Sequence, residues 1–163
     1  MQSNFINHIS KYIELDNNSR KVLNKYLISN LYKKKNFFLN EGQICRSIYF
    51  VEKGCLRMFF INHKSAEQIT QFALEDWWLS DFKSFIDNKP SEYYIQTVEK
   101  SEIVLIDVLS LEEMLKELPQ MERYFRIIMQ RAWAASQLRI KYMFELSKEE
   151  FYTYFATSFP EFV

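Results

Sequence analysis

Few side chains in this sequence are of the kinds that carry covalent or metal chemistry, and they are spaced badly for it. Cys45 and Cys55 are its two cysteines, and His8 and His63 its two histidines. Two thiolates fall short of the four that hold an ordinary iron–sulfur cluster. Neither histidine lies in a metal-ligand spacing, which argues against a zinc or non-haem iron enzyme. There is no Gly-x-Ser-x-Gly elbow, Walker loop or paired catalytic spacing. Lys33-Lys34-Lys35 invites a nucleic-acid reading, but three lysines before a strand read better as a solvated edge. The side chains point to recognition rather than turnover: no catalytic residue, no metal and no cofactor are expected.

Composition sets the frame for such a recognition surface. In 163 residues the apolar fraction is 48% and the aromatic fraction 17%, enough for a sizeable core. Lys+Arg and Asp+Glu are both 21, so there is no global basic field to draw in nucleic acid. The start MQSNFINHIS lacks a basic region followed by an apolar run, and no window is long and apolar enough to span a bilayer. A cytoplasmic protein with reduced thiols is expected.

The stretch Phe37–Phe60 organises the rest. It holds the chain's two glycines, Gly42 and Gly54, and glycine reaches positive φ without strain. Ser47–Glu52 and Cys55–Ile61 are β-branched and aromatic, so the glycines punctuate tight β structure. The predicted strands are Asn36–Leu39, Ser47–Glu52, Cys55–Asn62, Glu67–Leu74, Tyr93–Glu99 and Glu102–Asp107. Short strands at near-regular intervals fit a sandwich or barrel. Before them, Phe5, Ile9, Tyr12 and Ile13 repeat at helical spacing. A second short helix through Val22, Leu23, Tyr26 and Leu27 takes its N-cap from Asp16–Ser19. Asp76–Asn88 does not alternate, and Trp78, Phe82 and Phe85 fit one face of a helical insertion.

Ser110-x-x-Glu113 reads as a capping box with Leu109 and Met114 as its staple, and the helix it opens ends near Leu118, before Pro119. The next helix is the longest. Leu118, Met121, Phe125, Ile128, Ala132, Ala135, Arg139, Tyr142 and Leu146 follow three- and four-residue steps, a coiled-coil seam. Tyr124, Ile127, Ala134 and Leu138 form a second strip. A homodimer is expected through Met121, Phe125, Ile128, Ala132, Ala135 and Tyr142, because a strict seam is narrower than a core-facing stripe. Ser147-x-x-Glu150 is another capping box, stapled by Leu146 and Phe151. It opens a helix over Lys148–Ser158 that carries Phe151, Tyr154 and Phe155, with Phe159 just beyond.

This order resembles the Crp/Fnr superfamily of bacterial transcription regulators. Glu41-Gly42, then Ile48–Val51 and Glu52-Lys53-Gly54-Cys55-Leu56-Arg57, is similar to that family's strand–turn–strand signature. The resemblance implies an α+β, mainly β fold: a double-stranded β-helix or jelly roll like the cyclic-nucleotide-binding domain, with N-terminal helices and a long C-terminal dimerisation helix. It divides the chain into a sensor roll (1–118), a dimerisation helix (119–146) and the first helix of an incomplete winged helix-turn-helix (147–163). It further implies DNA contact only through the missing C-terminal part, and contact with RNA polymerase in a full-length protein.

The family's ligand cassette offers a Gly-Glu pair and then an Arg followed by Ser or Thr, which hold a cyclic phosphate and a ribose hydroxyl. Here Ser80-Asp81 and Glu92-Tyr93 stand at those places. Asp81 could accept from a hydroxyl, but Glu92 puts like charge where the family puts a bidentate cation. The degenerate effector pocket is Trp78, Ser80, Asp81, Phe82, Glu92 and Tyr93. Cyclic AMP is not expected to bind there, and Trp77, Trp78, Phe82 and Phe85 are expected to fill the roll's interior. The competing readings are a stand-alone β-roll protein-interaction module and, against the missing metal ligands, a cupin-like enzyme.

Overall fold

The computed structural model of the chain describes residues 3–158 and 160. Two compact units divide at Met121/Glu122.

The first unit is a roll of two four-stranded antiparallel sheets. One runs β1 (Ile28–Tyr32), β8 (Ser101–Asp107), β3 (Ser47–Lys53), β6 (Trp78–Leu79). The other runs β2 (Phe37–Leu39), β7 (Tyr94–Thr97), β4 (Leu56–Ile61), β5 (Glu67–Ala73). This is the jelly-roll fold expected from the sequence. Alternation places every second residue on the inner face. Leu39, Val51, Leu56, Ile95 and Ile103 therefore meet between the sheets, with Cys45 and Tyr49, in one buried cluster. Each fully buried aliphatic side chain contributes about 1.5–3 kcal/mol by leaving water.

Both glycines sit at positive φ, Gly42 at 85° and Gly54 at 97°. They serve different ends. A Cβ on Gly42 would meet nothing, whereas one on Gly54 would fall 2.8 Å from Ser101 Cβ and 3.0 Å from its Cα. Ser101 is fully buried there and accepts from Cys55 N–H at 3.2 Å. Gly54 is thus required by close packing as well as by its turn.

Helix α1 (Ser3–Ser10) lays Phe5 and Ile9 into the core, where Phe5 meets the rings of Phe50 and Trp78 at 4.9 and 5.5 Å. Its first amides are satisfied from a distance. The Glu52 carboxylate on β3 accepts from Asn4 N–H at 2.8 Å and Phe5 N–H at 2.9 Å. Carboxylates favour helix N-termini for this reason. Helix α2 (Asn17–Tyr26) is capped by Asp16, which accepts from Ser19 N–H at 2.6 Å, as expected. Tyr26 and Lys25 both bond Glu117, tying α2 to α4 (Val108–Glu117).

Four expectations need correction. β1 was not foreseen; its residues ISNLY are largely exposed on an edge strand and carry no strong strand signature. Trp78 and Leu79 form a strand, not helix, pairing with Phe50 and Tyr49 of β3, and α3 begins only at Phe82 (Phe82–Asp87). Trp77 does not fill the interior: it is 42% exposed, because it stands in the turn before β6, where its N–H donates to Leu74 O at 3.0 Å. Finally, α4 is not opened by Ser110 and Glu113. Asp107 is its N-cap, accepting from Leu109 N–H and Ser110 N–H at 3.0 Å each, with the Ser110 hydroxyl donating to its other oxygen at 2.6 Å. Leu109 is exposed while Met114 is buried, so the two do not form a staple.

The second unit holds most of α5 (Gln120–Glu145) and α6 (Lys148–Ser158). The box at Ser147 forms as expected: Ser147 N–H donates to Glu150 at 2.7 Å, and Glu150 N–H to Ser147 Oγ at 3.2 Å. The rings of Tyr142 and Tyr154 meet at 4.5 Å. Phe159 lies outside the described residues.

Candidate functional site

The cassette runs from the end of β6, through α3, to the start of β7. Ser80 is buried, and its hydroxyl donates to the carbonyl of Ser47 at 2.9 Å and lies 3.2 Å from Cys45 Sγ. Asp81 caps α3, accepting from Ser84 N–H at 3.2 Å. Helix α3 lasts six residues and stops at Asn88, which turns the chain through left-handed backbone at φ 52°. The chain then returns beside its start. Ser91 Oγ donates to Asp81 Oδ2 at 2.6 Å and accepts from Tyr93 N–H at 3.0 Å.

The β2–β3 turn closes the other side. Ser91 N–H donates to Gln43 O at 2.7 Å, and Gly42 N–H donates to Ser91 O at 2.8 Å. Cys45 N–H donates to the Ser84 hydroxyl at 2.9 Å, which itself donates to Lys89 O at 2.5 Å. Asp81, Ser84 and Ser91 are all buried. The buried polar groups of this segment therefore bond to one another, with the Ser91 hydroxyl donating to Asp81. The sequence reading names Asp81 in this network but not Ser84 or Ser91. Two serines in a loop carry no periodic signal, and only the return of the chain at Asn88 makes them partners.

The remaining cassette residues are dispersed. Glu92 is exposed. Tyr93 is half-buried with its ring edge-on to Phe60, 6.2 Å away. Phe82 is half-buried against Phe85, and Trp78 belongs to the cluster with Phe5 and Phe50. Arg57 on β4 is engaged by partners outside this segment. It pairs across the ladder with Gln96, on the face opposite Leu56 and Ile95. There its guanidinium donates to Gln96 Oε1 at 2.7 and 3.0 Å and to Glu67 at 2.8 Å, and lies 4.2 Å above the Phe59 ring. Among the described residues no cluster of three or more His, Cys, Asp or Glu is placed to hold a metal ion. No described helix is long and apolar enough to cross a membrane.

Along α5 the seam divides into covered and open parts. Met121 is fully buried within the first unit, so it belongs to that unit's core and leaves nothing for a partner. Phe125, Ile128 and Tyr142 are half-buried, and Ala132 and Ala135 are exposed. Trp133, Ile140 and Phe144 are more exposed, at 69%, 53% and 89%. At about 100° per residue they fall well away from the seam, a third apolar strip beside the two read from the sequence.

Comparison with known proteins places these features in a setting. Residues 30–117 match the cyclic nucleotide-binding domain family. The chain is 29% identical over 99 residues to the transcriptional activator protein Anr of Pseudomonas protegens, a match covering 61% of this chain and 40% of that protein. The chain therefore spans well under half of that relative's length. Among solved structures, it is similar to the catabolite activator protein of Thermus thermophilus (TM-score 0.64, 16% identity, 79% of this chain and 60% of that one). It is also similar to a cyclic nucleotide-binding domain from Methylobacillus flagellatus (TM-score 0.68, 14% identity, 85% of this chain and 79% of that one). The expected kinship with Crp/Fnr regulators is borne out.

Proposed function

From the premise that this chain belongs to the cyclic nucleotide-binding domain family, we propose that it is the sensing and dimerisation portion of a Crp/Fnr-like transcription regulator whose cassette does not take cyclic AMP. The observation that carries this reading is the state of Asp81: its carboxylate is already bonded to Ser91 Oγ and Ser84 N–H. A ribose hydroxyl would have to displace Ser91. A cyclic phosphate carries a negative charge and needs convergent donors, yet no arginine occurs from Trp77 to Leu105 and Glu92 stands where the cation is expected. Leaving a phosphate unpaired beside a carboxylate costs several kcal/mol, enough to erase affinity near about 1 μM. The Crp/Fnr kinship supports regulation of transcription, in the cytoplasm, by a homodimer. DNA would be read, and RNA polymerase met, by the full-length protein. The chain itself would catalyse no reaction.

Isothermal calorimetry with cyclic AMP and cyclic GMP tests the pocket. No binding at low micromolar concentration is expected for the wild type. The double change Glu92→Arg, Tyr93→Ser is expected to improve it by restoring the cation and the small hydroxyl residue. Low-micromolar binding by the wild type would overturn this reading.

A further inference from the structure

We propose that the cavity between β2 and the start of β3 binds a small carboxylate, a monoanion with a flat apolar body, through Arg46. This site adjoins the cassette, whose Ser91 and Ser80 donate to Gln43 O and Ser47 O, but no residue from 80 to 93 lines it, and it does not rest on the function proposed above. Its volume is about 490 Å³, within the range of about 300–1,000 Å³ typical of small-molecule sites.

The lining has two chemistries. Phe38, Ile44 and Tyr49 give an apolar, largely aromatic wall, with the rings of Phe38 and Tyr49 4.9 Å apart. Burial pushes the Tyr49 phenol well above its ordinary range, and its hydroxyl donates to Phe38 O at 3.4 Å, so this wall carries no negative charge near neutral pH. Arg46, Gln43 and Ser47 are the polar lining residues. The Gln43 side chain is oriented: its Oε1 accepts from Asn40 N–H at 3.0 Å and from the Asn40 amide at 3.4 Å, which leaves its NH₂ as a donor.

Arg46 is exposed, and among the described residues no carboxylate lies within ion-pair distance of it. The carboxylates nearest along the chain and the ladder are committed elsewhere. Asp107, opposite Ser47 in the β3–β8 register, caps α4, and its bonds to Ser110 hold its carboxyl below the usual range. Glu41 accepts from the Tyr94 hydroxyl at 3.2 Å. A guanidinium with no counter-ion, beside a partly aromatic wall, is suited to a planar carboxylate, which it can meet with two parallel N–H bonds. A phosphate dianion fits less well. There is one cation, and the neighbouring α4 amides are occupied by Asp107.

The probe is sodium benzoate, titrated into ¹⁵N-labelled protein at constant ionic strength, with benzamide as the neutral isostere. Saturable shifts are expected at the amides of Gln43, Ile44, Arg46 and Ser47, with benzamide binding at least about tenfold more weakly. Arg46→Gln, at an exposed position, is expected to weaken benzoate by a similar factor. The proposal is overturned if the shifts stay linear in benzoate, if benzamide binds equally well, or if Arg46→Gln binds benzoate as the parent does.

Discussion

Ser91 Oγ donates to Asp81 Oδ2 at 2.6 Å, with both side chains buried. This bond joins the chain just before α3 to the chain just after it, and makes them one closed loop over that helix.

Removing that hydroxyl should be felt in stability first. Ser91→Ala leaves a buried carboxylate with Ser84 N–H as its remaining partner. Hydrogen bonds to charged groups are worth about 1.5–3 kcal/mol, and a loss of that size is expected in urea denaturation. A change smaller than about 0.5 kcal/mol would mean that the bond does not hold the cassette closed.

The two glycines should respond differently to alanine. Gly42→Ala meets only the backbone penalty of positive φ, about 1–2 kcal/mol, since nothing lies near the new methyl. Gly54→Ala adds a clash with Ser101, whose backbone is fixed in β8. Its cost is expected to exceed that of Gly42→Ala by at least about 1 kcal/mol. Thermal melts of the pair decide this, and equal losses would count against the packing role of Gly54.

Glu52 makes stability depend on pH. Burial lifts its carboxyl above the ordinary 4.5; the amides of Asn4 and Phe5 oppose the rise, and Glu102 and Asp76 add to it. The folded state thus holds the proton more tightly than the unfolded chain. The corresponding stability is full below about pH 4.5 and is lost as pH rises through the folded value. Relative to Glu52→Gln, the wild type should therefore lose stability over that interval and then level off. Urea midpoints taken in half-unit steps from pH 4 to 8 measure the difference, and a wild-type advantage that grows with pH would contradict it.

The seam along α5 should pair two chains. Ile128→Glu places charge at its centre beside the exposed Ala132 and Ala135. Analytical ultracentrifugation is expected to give a dimer for the wild type and a monomer for the variant. A monomeric wild type, or a variant that dimerises equally well, removes the seam as the interface. If Trp133→Ser or Phe144→Ser dissociates the dimer instead, the outer strip of α5 is the contact.

The sequence alone determined the elements with strong local codes. Both glycine turns, six of the eight strands, Asp16 as a cap, the stop at Leu118 and the Ser147–Glu150 box are set by φ preference, period-two alternation and hydrogen bonds between residues three apart. Those forces act within a few residues and can be read along the chain. Tertiary structure alone decided what depends on distant partners. β1 and β6 are strands because β8 and β3 supply their ladders. Asp107 displaced Ser110 as the cap because the end of β8 delivers its carboxylate to the first amides of α4. Glu52 caps a helix some 47 residues earlier. The absence of arginine from Trp77 to Leu105 and the acidic residues Asp81 and Glu92 are legible in the sequence, but only folding brought Ser91 onto Asp81. A buried carboxylate must find donors wherever the chain returns, and no local pattern records where that will be.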